Sequence, residues 1–373
     1  MKTDHQLLIS DARQLADIAD EHIDLIVTSP PYPMIQMWDK VFSGLSGKAA
    51  AALKKEDGPA AFEAMHQALD PVWNECFRVL RPGGFACINI GDATRTVNQE
   101  FSLYANHARI LTAAQAAGFT VLPCILWRKQ TNAPNKYMGS GMLPAGAYVT
   151  LEHEYILILR KGGRRIFKTD AAGRRQSALF WEERNLWFSD IWTDLKGDRQ
   201  ALGTGASRKR SGAFPFELAF RLIHMYSCQG DRVLDPFAGT GTTLAAAMAG
   251  ARHSIGVELD QSLTHEAGLR VQNIVDTART ATQKRLTRHL CFVMDRIKAK
   301  GPLKYINQTY GFPVMTRQEK ELHFMPPARI CRETDLSWAL SHDTAPDPQF
   351  CLDWEAFFSR PDARARIDAL TAG

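Results

Sequence analysis

The sequence predicts an α/β fold, a mostly parallel sheet with helices on both faces. Three observations carry that expectation. Leu25-Ile26-Val27 and similar short runs are continuously apolar, as in strands covered on both sides. Such runs alternate with stretches of helical spacing, the pattern of strand–helix–strand units. Finally, Arg232-Val233-Leu234 leads into Asp235-Pro236-Phe237-Ala238-Gly239-Thr240-Gly241-Thr242-Thr243, and an alanine-rich run, Leu244 to Met248, follows. That order reads strand, tight glycine turn, helix.

Taken in order, Leu7-Leu8-Ile9 is a short strand ending at Ser10-Asp11-Ala12. Asp11 at that end suits either a helix cap or a ligand contact. Asp24 to Val27 is a strand that runs into Thr28-Ser29-Pro30-Pro31-Tyr32-Pro33. Adjacent prolines can neither continue a ladder nor enter a helix interior, so the chain leaves the sheet in a stiff extended form. Ligands bind at the carboxyl ends of strands in open parallel sheets, which puts Ser29 and Tyr32 on a rigid platform. By themselves these residues equally fit a proline-stiffened strand exit. Residues 43–58 read as a mobile basic segment. From Phe62 to Leu80 the apolar positions have helical spacing, stopped at Arg81-Pro82-Gly83-Gly84.

Phe85 to Ile90 is the next strand, Phe101 to Ala117 a helix stopped by Gly118, and Val121 to Trp127 a strand. Gln130 to Tyr148 reads as a long loop, and loops of that length inside a domain are usually functional. Glu152 to Leu159 is another strand; His153-Glu154 lacks a third ligand at metal spacing. Ala213-Phe214-Pro215 opens a helix that leads to the glycine turn. After it, Ser254 to Glu258 is a strand ending in an acid, where nucleotide-binding folds grip a ribose diol. A long helical stretch runs from there to about Met294. The tail beyond Gly301 carries no legible motif and reads as a small appended domain or a cover over the sheet.

In the glycine turn, Gly239 and Gly241 allow close backbone approach to a ligand, and the helix start beyond them favours an anionic group. The third glycine of the dinucleotide fingerprint is missing, and no Gly-Lys-Ser/Thr follows, so neither that motif nor a P-loop is present.

The chain has 373 residues, enough for about two domains with a sizeable core. No apolar run approaches the length of a membrane span, and the start lacks a signal-peptide pattern. Seven scattered cysteines without Cys-x-x-Cys indicate neither zinc nor a disulfide framework, which suits a reducing cytoplasm. The net charge is a mild +5, but Arg160 to Arg210 alone carries thirteen Lys/Arg against six Asp/Glu. Phe167, Phe180, Trp181, Trp187, Phe188 and Trp192 interleave with those charges. Cations for phosphates and rings for bases suit nucleic acid, although Trp187 and Trp192 fit a small core better than base contacts.

Thr28-Ser29-Pro30-Pro31-Tyr32, Arg78-Val79-Leu80-Arg81-Pro82-Gly83-Gly84, His153-Glu154-Tyr155, Phe214-Pro215 and Asp235 to Thr243 occur in that order. Together they resemble the amino-methylating DNA methyltransferases of bacterial restriction–modification systems. The order matches the permuted, beta-class TSPPY subgroup, in which the catalytic motif precedes the cofactor motif. The resemblance covers residues 5–275 in patches. It implies a Rossmann-like methyltransferase fold with a seven-stranded, mostly parallel sheet and helices on both faces, plus a target-recognition insert and a C-terminal extension. Residues 1–159 would be the catalytic half, 160–212 the target-recognition region, 213–285 the cofactor half, and 286–373 an extension of unassigned role.

The implied methyl donor is S-adenosylmethionine, with no metal. Phe237, Gly239, Gly241 and Thr243 would line its methionine part, with Asp235 and Thr242 in the same turn. Glu258 would hold the ribose hydroxyls, Phe214 and Pro215 would border the cofactor, and Asp11 would sit near the adenine. Ser29, Pro30, Pro31 and Tyr32 would be catalytic. Lys136, Arg174, Arg175, Arg208, Lys209 and Arg210 would contact double-stranded DNA. A cognate restriction endonuclease acting on the same site fits the resemblance as a partner, and the expected location is the cytoplasm of a bacterium, archaeon or phage.

An exocyclic amine is a poor nucleophile and is hidden in the duplex, so its base must be flipped out at a cost of a few kcal/mol. Tyr32 can stack on the extruded ring and offset about 1–3 kcal/mol. The Ser29 hydroxyl and Pro30 carbonyl can accept the amino protons. In the family the sequence resembles, serine at the first position of the tetrad is commoner among enzymes acting on N4 of cytosine, so the resemblance favours that base, with N6 of adenine the alternative. An RNA or small-molecule methyltransferase, and a non-enzymatic DNA-binding protein on the same fold, are the other readings.

Overall fold

The computed structural model describes residues 1–129, 138–139, 143–167, 172–197 and 214–350. Ten strands form one sheet: β1 (Lys2–Ile9), β2 (Ile23–Thr28), β3 (Leu80–Ile90), β4 (Phe119–Arg128), β5 (His153–Lys161), β6 (Ile191–Trp192), β7 (Arg232–Asp235), β8 (His253–Glu258), β9 (Pro327–Thr334) and β10 (Ser337–His342). Their order across the sheet is β6-β4-β5-β3-β2-β7-β8-β1-β10-β9. β5 runs antiparallel to both its neighbours, β3 and β4. The expected α/β fold is present, and the sheet is wider than the seven strands anticipated. The additional strands are the two-residue β6 at one edge and the β9–β10 hairpin at the other.

β2 is buried along its whole length, as its unbroken apolar run requires. Leu25 and Val27 face one core; Ile23 and Ile26 face the other. Helices α1 (Asp39–Leu45), α2 (Gly47–Lys54), α3 (Gly58–Val79) and α4 (Asn106–Ala116) cover the second side. Short helices α5 (Ala172–Gln176) and α6 (Trp181–Trp187) follow. Then α7 (Phe216–Tyr226), α8 (Thr242–Ala249), α9 (Thr264–Gln272) and α10 (Ile274–Lys300) cover the first side. α8 is buried at every position. It lies so close to β8 that a Cβ on Gly256 would come within 2.7 Å of Leu244.

Two expectations are corrected. Residues 43–58 are not a mobile segment: the Ser46 hydroxyl accepts from the Ala49 N–H at 3.2 Å and opens α2 over the run Ala49 to Ala52. Phe101 does not begin a helix; it lies in a hairpin of Ala93–Val97 with Glu100–Tyr104, and α4 starts at Asn106.

A third, smaller core joins α6 and α10 to the chain beyond Gly301, through Phe180, Leu286, Leu290, Tyr310, Phe312 and Phe324. The Phe180 ring stacks on His289 with centroids 3.8 Å apart. The tail builds this small core with α6 and α10, and its hairpin extends the sheet at the edge beside β1 rather than covering a face. Trp187 and Trp192 are buried, as their expected core role requires. Among the described residues no helix is long and apolar enough to cross a membrane.

Candidate active site

β2 and β7 are adjacent and parallel, with Val233 opposite Leu25 and Leu234 opposite Ile26. The proline-stiffened exit and the glycine turn therefore leave the sheet side by side, although 207 residues separate Thr28 from Asp235. One buried carboxylate ties them together. Asp235 accepts from the Thr28 hydroxyl at 2.6 Å and from the Phe237 N–H at 3.0 Å through Oδ1. Its Oδ2 accepts from the Thr243 hydroxyl at 2.6 Å. Burial pushes the Asp235 carboxyl up to about 6, against the pull of the Thr243 and Thr28 bonds.

Removing this acceptor would strand the Thr28 hydroxyl and the Phe237 N–H and leave the Thr243 hydroxyl only the Val27 carbonyl at 3.3 Å. Asp235→Ala is expected to lose roughly 2–5 kcal/mol of stability, read as a lower urea midpoint. Asp235→Asn keeps Oδ1 as acceptor for Thr28 and Phe237 and is expected to lose clearly less.

Gly239 and Gly241 both have positive φ, 52° and 75°, and Gly241 is the N-cap of α8. The backbone conformation thus asks for glycine in addition to any ligand approach. The Glu258 carboxylate closes the turn: Gly239 N–H donates to Oε2 and Asp260 N–H to Oε1, each at 2.8 Å.

A cavity of about 710 Å³ opens over these carboxyl ends. Ser29, Pro30, Pro31 and Tyr32 form one wall. Asp235, Phe237, Gly239, Thr242 and Glu258 line it from the glycine turn and β8, and Asp11 and Phe214 are also part of its lining. Three anticipated cofactor residues lie behind the wall. Pro215 is the N-cap of α7, Gly241 starts α8, and Thr243 is buried against Asp235. Asp11 caps no helix. It accepts from the Arg13 backbone N–H at 2.9 Å and pairs with the Arg13 guanidinium at 2.6 Å, which lowers its carboxyl from the ordinary value.

Of the anticipated DNA contacts, Arg174 lies 4.3 Å over the Phe167 ring and Arg175 pairs with Glu321 at 2.7 Å. Neither lines the cavity. Lys136, Arg208, Lys209 and Arg210 lie outside the described residues.

The site also contains residues that sequence reasoning missed. The Tyr32 hydroxyl accepts from Ser29 Oγ at 3.1 Å and from Asn89 Nδ2 at 2.9 Å, and donates to Glu154 Oε2 at 3.0 Å. Asn89 Nδ2 also donates to Glu154 Oε2, at 2.7 Å. Lys129 pairs with the other oxygen, Oε1. Burial first, and then the Glu154 charge, push the Tyr32 phenol well above its ordinary value. A signal existed for Asn89, near the carboxyl end of a parallel strand. For Glu154 it was weaker: only the reversed direction of β5 brings its amino end to the same edge.

Comparison with known proteins gives a consistent set of relatives. The sequence profile of the family described as DNA methylase matches residues 23–267. Type II methyltransferase M.MthZI of Methanothermobacter thermautotrophicus is 48% identical over 330 residues, spanning 88% of this chain and 92% of that protein. Type II methyltransferase M.MjaI of Methanocaldococcus jannaschii is 48% identical over 272 residues, 70% of this chain and 89% of that protein. A putative DNA modification methylase from Thermus thermophilus, solved in complex with S-adenosyl-L-methionine, is 34% identical. It superposes with a TM-score of 0.57 over 72% of this chain and 94% of its own. PvuII DNA methyltransferase, described as cytosine-N4-specific, shares the fold at 17% identity and a TM-score of 0.50, over 74% of this chain and 92% of its own.

Proposed function

The chain belongs to the DNA methylase family, and from that premise we propose that it is an S-adenosylmethionine-dependent DNA methyltransferase of the permuted TSPPY type, acting on the exocyclic amino group of a flipped-out base, N4 of cytosine. The observation that carries this reading is the Asp235 bridge. It holds the Ser29–Tyr32 wall and the glycine turn on one cavity.

The cavity fits the methyl donor. The position of a Cβ on Gly239 is open, with Phe237 O the nearest atom at 3.9 Å, so the turn offers a cradle that a side chain would fill. Phe237, Gly239 and Thr242 would hold the methionine part, Glu258 the ribose, and Phe214 and Asp11 the remaining border. The residues behind the wall, Pro215, Gly241 and Thr243, would shape that cradle from the second layer. When bound, S-adenosylmethionine supplies an electrophilic methyl on a positively charged sulfur. The protein's task at the other substrate is positioning. Tyr32 stacks on the extruded base, and the Ser29 hydroxyl with the Pro30 carbonyl accepts the amino protons, which keeps the nitrogen lone pair localised.

The basic, aromatic stretch 160–212 is the proposed target-recognition region, between a catalytic half (1–159) and a cofactor half (213–285). Arg174, Arg175, Lys136 and the Arg208-Lys209-Arg210 run would supply phosphate contacts. The relatives are Type II methyltransferases, and a restriction endonuclease of the same sequence specificity is the partner whose cutting such methylation would block.

Incubation of mixed-sequence DNA with labelled methyl donor, followed by nucleoside analysis, tests the reading; N4-methylcytosine is expected. Label in 6-methyladenine would replace the base assignment, and label in RNA alone would overturn the substrate. DNA binding is expected to weaken with a log–log salt slope near −0.9 per phosphate contacted, about 10³-fold between 50 and 200 mM for six contacts. Titration by fluorescence anisotropy measures it, and a flat response would remove the role given to the basic stretch.

A further inference from the structure

We infer that Glu154 is a positioning residue that sets the direction of the hydrogen bonds ending on Ser29, so that the Ser29 oxygen faces the cavity as an acceptor for an amine. The inference rests on the proposed amino-methyltransferase reading and deepens it.

A phenol carries one donor and two acceptor positions, and a carboxylate only accepts. The Tyr32 hydroxyl has no position to spare, since the Gly91 N–H also lies against its oxygen. Its proton goes to Glu154 Oε2, and its lone pairs receive Ser29 Oγ and Asn89 Nδ2. The upward shift of the phenol keeps that proton in place.

Asn89 fixes the pattern from a second side. Its two amide protons go to Tyr32 and to Glu154. The reverse orientation would set the amide oxygen against the carboxylate. Lys129 takes Glu154 Oε1, which leaves Oε2 for Tyr32 and Asn89. Gly91 lets Tyr32 and Glu154 approach, because a Cβ there would meet Tyr32 Cε2 at 3.0 Å and Glu154 Cγ at 3.2 Å.

The consequence falls on Ser29. A hydroxyl has a single proton, and this one is given to Tyr32. Toward the cavity, which Ser29 lines, the oxygen can only accept. An amino group presents protons and is welcomed; a carbonyl in the same place meets lone pairs and is rejected. Leaving such a polar group unmatched is the strongest form of discrimination a buried site has. Replacing Glu154 by glutamine removes the obligatory acceptor. The glutamine amide can donate to Tyr32, Tyr32 can then donate to Ser29, and Ser29 turns its proton to the cavity.

The test first locates the methylated base by sequencing treated DNA. It then compares duplexes carrying the natural base with duplexes carrying its carbonyl counterpart there, uracil for cytosine or hypoxanthine for adenine. The wild type is expected to bind the amine duplex more tightly. Glu154→Gln is expected to lose at least about tenfold of that preference and about tenfold or more in kcat, with S-adenosylmethionine affinity unchanged within about threefold. Glu154→Asp, which keeps an acceptor-only group, is expected to retain the preference. Wild-type preference in Glu154→Gln, or equal loss of preference in both variants, overturns the inference. Loss of cofactor binding or of melting temperature in Glu154→Gln also overturns it, since Glu154 would then hold the fold. Absence of DNA methylation by the wild type would instead sink the functional reading beneath it.

Discussion

Ser29→Ala is expected to reduce methyl transfer by about 10²–10³-fold while leaving S-adenosylmethionine affinity within about twofold. The size follows from removing one preorganised polar contact to the reacting group, of the order seen for single contacts of that kind. The small effect on cofactor affinity follows from the layout. Ser29 makes its hydrogen bond to Tyr32 and none to Asp235 or Glu258, the carboxylates that hold the glycine turn. Single-turnover kinetics with labelled donor, beside calorimetric titration of the donor, separates the two quantities. If rate and affinity fall together, Ser29 is a structural residue and the proposed chemistry loses its acceptor.

The largest stability effect is expected far from the cavity. Arg285 and Glu183 form a two-pronged ion pair, at 2.6 and 2.7 Å, with side chains only 5% and 9% exposed. The guanidinium also lies 4.2 Å from the Phe324 ring centre and 5.2 Å from that of Trp187. Arg285→Ala would leave the Glu183 carboxylate buried, with the Phe180 N–H at 3.2 Å as its remaining recorded donor. The expected loss is about 3–5 kcal/mol, the range for breaking a buried pair from one side. The double variant Glu183→Leu with Arg285→Met removes both charges and is expected to recover most of it. Urea unfolding of both variants checks this. Equal midpoints for Arg285→Ala and wild type would mean that the pair contributes nothing to holding α6 on α10.

Much of the fold was legible because it depends on short-range signals. β2 announces itself by an unbroken apolar run, and β7 with α8 by a glycine turn between apolar stretches. The misreadings share a cause: local composition stood in for pairing. Gly44, Gly47 and three lysines suggested a loose segment where Ser46 caps a helix. Phe101 to Tyr104 satisfied a helical count but found a strand partner just before it in the chain, at Ala93–Val97. The β9–β10 hairpin was illegible because its partner, β1, is at the other end of the chain. The same holds in the site. Ser29, Tyr32, Phe237 and Glu258 sit in stretches with recognisable chemistry; Glu154 sits in the His153-Glu154-Tyr155 motif, but its role, like that of Asn89, emerges only from the sheet order.

The place of β1 has a kinetic consequence. Lys2–Ile9 is synthesised well before both strands it pairs with, its parallel neighbour at residues 253–258 and its antiparallel neighbour at residues 337–342. At 5–20 residues per second, the first of these partners arrives about 12–50 s later. During that interval β1 has both backbone edges without the partners they have in the fold, which is the condition under which nascent chains pair wrongly or recruit chaperones. Synthesis speed and chaperone supply are therefore expected to change the yield of active protein even where the final stability is unchanged.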